Sequence, residues 1–567
     1  MRLYFKLLRQ LICALAMTTV LVSCTSEIRQ HNDEKNHITE VIITPGQNSL
    51  LTNYRLQSSV SAFKFAPQNK LQRADSWHVS DDWLFDGETL TRKDEEAFDT
   101  FTITLTPEKK FYNRKYFAID RIGANGWSLY LPVFAAAQGD TGAQFKAFGA
   151  DAVLRVGSKS VDIANAHLSI DGNGNLLAYV GSGRNVFINN GVVIAGPEID
   201  SAIREKVKTD LDIVVTSLTA GFRKPPVTTP TIYITHALKF SSKGWKGGQM
   251  EDGVIALRFR GIPLRMDDPW LTTTIEEAVT HESIHLWIGG LYKNTRNEEE
   301  SWAHEGTTEY ISDRLRFNGD AFRTEAQQTV NRCLNFLANR PLDGSQGYVQ
   351  GRAAYDCGFT LSLAAELASL QNGNGDILKL WRSVFALDDE DSEYTPQQFL
   401  NVAEIAGGTI FTQFSSQFLK TSERQGWENL AESFSALGVS VELGSAKSMG
   451  HKLVAKRWLS PLLGSLCTGS YGYYSNQDLY TLDTQERCGT ALANDPEVVT
   501  IGPYNFITDP IVAFEYVQNI CNKRGELQFG LLGGGMTAPV TCNIDIANLP
   551  PTVTLTKLPP LPKLGKH

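Results

Sequence analysis

Residues Thr280 to Tyr310 read THESIHLWIGGLYKNTRNEEESWAHEGTTEY. His281 and His285 are four residues apart, so on a helix both imidazoles project from one face and can bind one metal ion. Glu282 lies between them and is predicted to be a general base, because a carboxylate there can hold a metal-bound water and take its proton. The alternative is a capped or surface histidine pair. The helical pattern from Thr272 to Ile288 favours a metal site.

A third ligand is needed, since a catalytic zinc ion normally has three protein ligands. Glu305 can complete the set, because nineteen residues separate it from His285 and leave room for a loop and a second helix, predicted from Ser301 to Phe317. Glu309 follows one turn later on the same face. It is predicted to accept the spare ring N–H of a ligand histidine, His281, and so to fix its tautomer. The prediction is one Zn²⁺ per chain.

The N-terminus is predicted to be a targeting segment. A basic start and an apolar run from Leu11 to Val22 make residues 1–23 a signal peptide, too short to span a bilayer as a mature helix. Leu21-Val22-Ser23-Cys24 resembles the lipobox of bacterial lipoproteins, which implies cleavage before Cys24 and lipid on its thiol. Residues 24–40 would be a flexible tether. The expected location is the bacterial cell envelope, on the outer membrane facing the periplasm. The alternative is an ordinary secretory signal.

The composition of the chain after the signal peptide bears on the number of domains and on the possible partners. The hydrophobic fraction of 42% over about 540 mature residues is enough for two to four domains. A net charge of −9 argues against nucleic acid as a partner, and the sequence does not identify a protein partner. Beyond the signal no apolar run approaches about twenty residues, so the lipid on Cys24 would be the only membrane anchor.

Six cysteines remain after the signal and the lipidated residue. An even number in an exported chain indicates disulfides, with free structural thiols as the alternative. Fifteen connectivities are possible, and we predict that sequence neighbours pair. The six are Cys333, Cys357, Cys467, Cys488, Cys521 and Cys542.

The predicted fold is α+β and multidomain. Residues 41–195 are predicted to form a β-rich N-terminal domain, because short apolar runs alternate with Gly, Asn and Asp clusters. Residues 196–444 are predicted to be the catalytic domain, of thermolysin-like mixed α/β type with a mainly helical second half. It starts with a helix from Glu198 to Phe222 and strands at Thr231–Thr235 and Val254–Phe259.

A loop ahead of the histidines carries the first family resemblance. Gly248-Gln-Met-Glu-Asp252 resembles the GxMEN motif of zinc aminopeptidases of the gluzincin clan, with Asp252 in place of asparagine. The resemblance implies that Glu251 binds the free α-amine of a peptide substrate and that Gly248 lines the same site. An anion at a set distance from the metal would select a chain end. The alternative is an exposed loop carboxylate.

A second resemblance follows the histidines. Ala354 to Phe359 reads AYDCGF and resembles the YEKG segment of the same enzymes. It implies that the Tyr355 hydroxyl stabilises an oxyanion; the alternatives are a core tyrosine, or Tyr348 in that role. Cys357 stands where the family has lysine, and a disulfide to Cys333 would replace the lost contact.

Further segments are closest to the glycyl-aminopeptidase family. Trp302 to Leu315 resembles its EGFTxYxxD segment, and residues 398–440 resemble its closing helices. His304 is unusual beside the ligand, and is either a neighbour of the metal site, a substrate-facing group or a solvent-exposed histidine. Residues 445–567 are predicted to be a small disulfide-containing C-terminal domain, PDZ-like or accessory, that packs on the catalytic domain or binds an extended peptide.

Together the resemblances imply a zinc-dependent aminopeptidase that removes N-terminal residues from peptides. Two alternatives remain open at this point. One is a zinc endopeptidase, in which Glu251 does not select the chain end. The other is a non-catalytic binding lipoprotein that keeps the peptidase fold.

Overall fold

The computed structural model describes most of the chain from Ile38 to Gly565. Within that range the described part excludes 67–69, 110–116, 125, 138–140, 147–151, 164–165, 171–175, 183–185, 189, 238–244, 248–249, 252, 262, 295–300, 338–341, 343–351, 388–392, 421–428, 446–448, 469–470, 476–478, 485–487, 494 and 547. The predictions for Cys24, Gly248, Tyr348 and Asp252 therefore lie outside the described residues.

The first part of the described chain is built from β-sheets, as its alternating apolar pattern predicts. Aromatic and branched residues of the facing strands fill one core, in which Tyr54 stacks on Phe101 at 4.6 Å. A six-stranded sheet has the spatial order His167–Ile170, Thr141–Phe145, Ile38–Pro45, Leu50–Val60, Phe98–Leu105, Trp77–His78. A five-stranded sheet has the order Lys159–Val161, Ala152–Val156, Leu177–Ser182, Gly126–Tyr130, Ile119–Arg121, and a three-stranded one Ala62–Lys64, Thr89–Arg92, Trp83–Phe85.

A second six-stranded sheet leads to the helices of the middle region. Its central strands are parallel and largely buried on both faces, which is typical of a sheet covered on both sides. The strands in spatial order are Val186–Ile188, Gly191–Ala195, Thr231–Ala237, Val254–Arg260 and Trp245–Gly247, with Met250–Glu251 also paired to Val254–Arg260.

A buried polar contact joins this sheet to the β-rich part. Asp120 accepts hydrogen bonds from the guanidinium of Arg260 and, at 2.6 Å, from the hydroxyl of Thr235. All three side chains are buried, so each polar group depends on the others for its partners. The junction between the two parts is therefore rigidly specified.

Helices make up most of the middle region and pack into one apolar core with the second sheet. We label the helices in chain order: α1 Lys70–Ser76, α2 Ser201–Phe222, α3 Pro269–Ile284, α4 Trp302–Arg316, α5 Gly319–Leu337, α6 Ala353–Gln371, α7 Ile377–Phe385, α8 Pro396–Lys420, α9 Leu430–Ala436, α10 His451–Leu466, α11 Pro510–Asn522. Helix α8 consists of two helical pieces that meet at Gly408, whose φ is +62°.

The last part of the chain has its own apolar core, made by α10, α11 and a small sheet. The sheet contains Gly472–Ser475, Tyr480–Asp483, Glu497–Ile501 and Tyr504–Asn505, with Phe529–Leu531 paired to Glu497–Ile501. A two-stranded sheet in the same part pairs Glu526–Leu527 with Val540–Thr541. In the middle region, a second two-stranded sheet pairs Lys293–Asn294 with Glu393–Tyr394.

The C-terminal segment returns to the middle region. The strand Thr552–Lys557 pairs antiparallel with Ser440–Gly444. Its Val553 and Leu555 are buried in the middle core, and Asn331 of α5 hydrogen-bonds the backbone of Val553 through both its amide oxygen and nitrogen at 2.8 Å. This C-terminal segment therefore forms an arm that covers the middle core.

The disulfides pair sequence neighbours, which confirms the predicted connectivity. The bonds are Cys333–Cys357, Cys467–Cys488 and Cys521–Cys542. The first joins α5 to α6 within the middle core. The broad prediction of a β-rich beginning followed by a mixed α/β and helical region is also confirmed. In the described part of the chain, no helix is both long and apolar enough to cross a membrane.

Candidate metal centre

Helix α3 presents the two histidines. Its start is capped by the Asp268 carboxylate, which accepts a hydrogen bond from the backbone N–H of Trp270 at 2.9 Å. Pro269 occupies the first helical position, where its missing N–H costs nothing. His281 lies in the last turn, and His285 is the C-terminal cap with a still-helical φ of −63°. Both imidazoles therefore keep the helical spacing and leave the same face.

Three buried or half-buried donor atoms converge at this point. The Nε2 atom of His281 lies 3.3 Å from a carboxylate oxygen of Glu305, and the Nε2 atom of His285 lies 3.5 Å from the same oxygen. One ligand atom from each residue falls within 4.8 Å of the other two. The structure thus brings together the three residues that the sequence predicted as ligands.

The opposite nitrogen of each imidazole is already bonded. Nδ1 of His285 lies 3.1 Å from the backbone carbonyl of Ile288, and because a carbonyl only accepts, Nδ1 carries the proton. Nδ1 of His281 lies 3.0 Å from the Glu309 carboxylate, as predicted from the spacing. In neutral imidazoles with protonated Nδ1 both Nε2 lone pairs are available. Two such nitrogens and one carboxylate oxygen match the donors and the ligand number of catalytic zinc sites.

Electrostatics keep the two carboxylates ionised. Burial favours the neutral form of Glu305, but when both imidazoles are protonated the charge of His285 and hydrogen bonds from both rings outweigh it and hold the pKa of Glu305 well below its ordinary range. Burial also opposes charge on Glu309, yet the Arg352 guanidinium and the bond with His281 lower the pKa of that carboxyl to about 2. Both side chains are therefore acceptors, as a metal ligand and its supporting partner must be.

The close crossing of α4 and α6 sets the position of Glu305 relative to Tyr355. A Cβ on Gly306 would lie 2.2 Å from the Cα of Gly358, and a Cβ on Gly358 would lie 1.9 Å from the carbonyl oxygen of Trp302. Only glycine at both positions permits this approach. Glu305 directly precedes Gly306, and Tyr355 lies three residues, about one turn, before Gly358, so the crossing carries both towards the same site.

Tyr355 lies against the metal-binding histidines. Its half-buried ring is 5.7 Å from the His281 ring, at an interplanar angle of 29°. The guanidinium of Arg352 lies 5.5 Å from the Tyr355 ring and also pairs with Glu309. Tyr355 is therefore adjacent to the three converging donors.

The other predicted residues are placed only in part. Glu282 is half-buried on α3, directly between the histidines. The backbone of Glu251 belongs to a two-residue strand and pairs with Val254 of the strand that precedes α3. The side chain of Glu251 lies outside the described part. Gly248 and Tyr348 lie outside it altogether.

Sequence reasoning missed two residues at the site. Arg352 was not identified as the ion-pair partner of Glu309, although its position one turn before Tyr355 on the same helix was an available signal. Tyr394 was not identified as the partner of His304, whose Nδ1 lies 2.7 Å from the Tyr394 hydroxyl. Their ninety-residue separation left no pattern in the sequence that pairs them.

We expect Glu309→Gln to weaken zinc binding by about 10- to 100-fold, the range found when partners of metal-ligating histidines are removed. Glutamine keeps the size of the side chain but loses the charge that supports the protonated Nδ1 of His281. The measurement is zinc affinity by competition with a chromophoric chelator. Glu205→Gln, an exposed carboxylate on α2, is the control. Unchanged affinity in Glu309→Gln would show that Glu309 does not support the site.

Comparison with known proteins identifies a solved structure with the same fold. No family model matches the sequence, and no curated protein is a significant match. Among solved structures, an aminopeptidase N family protein from Idiomarina loihiensis superposes with a TM-score of 0.53 at 11% identity, over 91% of this chain and 98% of that one. The chain therefore shares the fold of that protein.

Two further solved structures are less similar. An M1 zinc metallopeptidase from Deinococcus radiodurans bound to a Tyr-Ser-Ala substrate has a TM-score of 0.39 at 14% identity, over 69% of this chain and 95% of that one. Legionella pneumophila aminopeptidase A in complex with aspartic acid has a TM-score of 0.39 at 12% identity, over 68% and 49%. With TM-scores of 0.39, these two structures add nothing to the fold comparison.

Proposed function

We propose that the chain is a zinc-dependent metallopeptidase, and specifically an aminopeptidase. The observation that carries the proposal is the convergence of His281, His285 and Glu305, with the remaining nitrogen of each histidine already bonded. Such a site is prepared for a metal and needs no rearrangement to bind it. The shared fold with an aminopeptidase N family protein supports the same reading.

Each step of peptide hydrolysis is assigned to a particular residue of the chain. Bound zinc would supply Lewis-acid polarisation of the scissile carbonyl and would acidify water. Glu282 takes the proton from the attacking water and delivers it to the leaving amine. Tyr355 donates its hydroxyl proton in a hydrogen bond to the oxyanion that develops on the carbonyl. Glu309 and the backbone carbonyl of Ile288 hold the two imidazoles by their Nδ1 atoms, and Glu305 supplies the third ligand.

Selection of the N-terminus is assigned to Glu251. Its two-residue strand pairs with Val254–Arg260, the strand that precedes α3 along the chain. A carboxylate at that point can pair with a protonated α-amine but not with an acetylated one.

We expect the wild-type chain to hydrolyse a peptide with a free N-terminus about 10- to 100-fold faster, in kcat/KM, than its N-acetylated form, the value of one charge-assisted hydrogen bond. Glu251→Gln should remove most of this preference without releasing zinc. The measurement is kcat/KM on the matched peptide pair, with zinc content as the control. Equal rates on both forms would make the chain an endopeptidase. Stoichiometric zinc with no hydrolysis of a peptide library would make it a binding protein.

The envelope location remains part of the proposal. The lipobox-like Leu21 to Cys24 supports a chain anchored by lipid on Cys24 in the bacterial outer membrane, facing the periplasm. We expect Cys24→Ala to move the protein from the membrane fraction to the soluble fraction and to prevent labelling with radioactive palmitate in a bacterial host. Cys13→Ala, within the signal segment, is the control. Retention of Cys24→Ala in membranes would contradict lipid anchoring.

For residues 445–567 we propose an accessory, PDZ-like unit that packs on the catalytic region. The Asn335 side-chain amide of α5 donates to the backbone carbonyl of Leu453 on α10 at 3.0 Å, and Arg457 donates to the backbone carbonyl of Asn335. These contacts support packing as its main role. Release of α10 from α5 by Asn335→Ala should lower the unfolding temperature; no change would argue against it.

A further inference from the structure

We propose that His304 is a positioning residue for the metal ligand His285, acting as an aromatic plate that fixes the orientation of the ligand ring. The inference rests on the metal centre proposed above and not on peptide hydrolysis. The two imidazole rings stack with centroids 4.4 Å apart and an interplanar angle of 21°.

The stack supplies a restraint that the hydrogen bond of His285 does not. The bond from Nδ1 to the Ile288 carbonyl fixes the tautomer but holds the ring at one atom only. Rotation of the imidazole about its bond to Cβ is a soft, broad motion. A second ring stacked on one face hinders that rotation, because turning the ligand ring would break the parallel contact. The direction of the Nε2 lone pair is then set by the His304 plane.

His304 is itself held at its edge. Its Nδ1 lies 2.7 Å from the hydroxyl of Tyr394, a fully buried residue. The Tyr394 ring packs edge-on against Trp381, with centroids 5.0 Å apart. The short strand Glu393–Tyr394 pairs with Lys293–Asn294, which belongs to the segment between the second histidine and α4. The plate is thus fastened to the core independently of the metal ligands.

Gly289 also lies close to the His304 ring. Gly289 has a φ of +113°, a backbone conformation that other residues rarely adopt. A Cβ at this position would lie 2.6 Å from Cε1 of His304. The chain can therefore turn after α3 and still pass against the plate only with glycine here.

The same geometry argues against His304 acting as a further metal ligand. Its Nδ1 is engaged by Tyr394, and the nearly parallel planes place its face, not its edge, against His285. Among the described residues, the mutually close donor group consists of His281, His285 and Glu305. The half-buried, enclosed ring is also not a solvent-exposed histidine.

Two double variants test the proposal. His304→Phe/Tyr394→Phe keeps a ring at the plate, and His304→Ala/Tyr394→Phe removes it; the change at Tyr394 is common to both. The readouts are zinc affinity by chelator competition and the visible absorption spectrum of the cobalt-substituted protein, which reports ligand geometry. His451→Ala is the matched control, because it removes a histidine that contacts the Tyr480 hydroxyl at 3.0 Å in the C-terminal part.

We expect the alanine double variant to bind zinc about 10- to 100-fold more weakly than the phenylalanine one, and to change the cobalt spectrum. The phenylalanine variant should stay close to wild type, as should His451→Ala. Equal affinities and equal cobalt spectra for the two double variants would overturn the positioning role. A wild-type chain that binds no zinc would instead overturn the metal centre itself.

Discussion

Replacing Glu282 with glutamine is expected to lower kcat for peptide hydrolysis by about 10²- to 10⁴-fold, the usual contribution of a general base. Glutamine matches the shape of glutamate but cannot take a proton from water. Zinc content should stay at one ion per chain, because Glu282 is not among the three converging donors. The measurement pairs kcat on aminoacyl fluorogenic substrates with metal analysis of the same preparation.

A control on the same helix separates this effect from a general loss of charge. Glu276 lies on α3 and forms a half-exposed ion pair with Lys206 at 3.4 Å. Glu276→Gln should leave kcat within about twofold of wild type, since exposed ion pairs contribute little. A fully metallated Glu282→Gln variant with wild-type turnover would contradict the proposed general base.

Replacing Glu305 with alanine is expected to remove zinc altogether. Two histidines alone fall short of the three protein ligands of catalytic zinc sites. The loss in affinity should exceed the roughly 10- to 100-fold expected from supporting residues such as Glu309. Because a ligand at about 100 times its Kd stabilises the folded state by about 2.7 kcal/mol, the wild-type unfolding temperature should fall on chelation. In Glu305→Ala that chelator-dependent fall should disappear.

The order of affinities provides the internal check. Glu282→Gln should bind zinc as wild type, Glu309→Gln should bind it more weakly, and Glu305→Ala should bind none at micromolar zinc. If Glu305→Ala retained one tightly bound ion, another donor would have to complete the site. The assignment of Glu305 as ligand would then be wrong.

Helix positions were well predicted from sequence, and helix ends less well. The metal-binding helix was predicted from Thr272 to Ile288, and it runs from Pro269 to Ile284. Its start follows from the Asp268 cap and the proline after it, a local signal that the prediction did not use. Its end is followed by the turn at Gly289, which has a φ of +113° and lies close to His304 from a different helix.

The disulfides likewise have one feature that the sequence predicts and another that only the packing of the helices decides. Pairing of sequence neighbours could be predicted, because closing a short loop costs little entropy and each pair is close along the chain. That Cys333 and Cys357 both face the interior is a consequence of how α5 and α6 pack, since both side chains are buried in the middle core. Counting cysteines could not show that this bond is buried between two helices.

The sequence by itself determined the ligand types, their spacing and the helices that carry them, because each of these depends on residues within a few turns of one another. The spacing of His281, Glu282 and His285 already specified one face of one helix. The spacing of Glu305 and Glu309 specified one face of another.

The tertiary structure alone decided how those faces meet. The crossing of α4 and α6 depends on Gly306 and Gly358 meeting across the helix interface, and the partners Arg352 and Tyr394 come from distant segments. Such contacts arise from the packing of the whole core, where volume and close approach are satisfied jointly by many residues. No local pattern encodes them, which is why the stretch from Thr280 to Tyr310 indicated a metal while only the fold supplied the surroundings that orient its ligands.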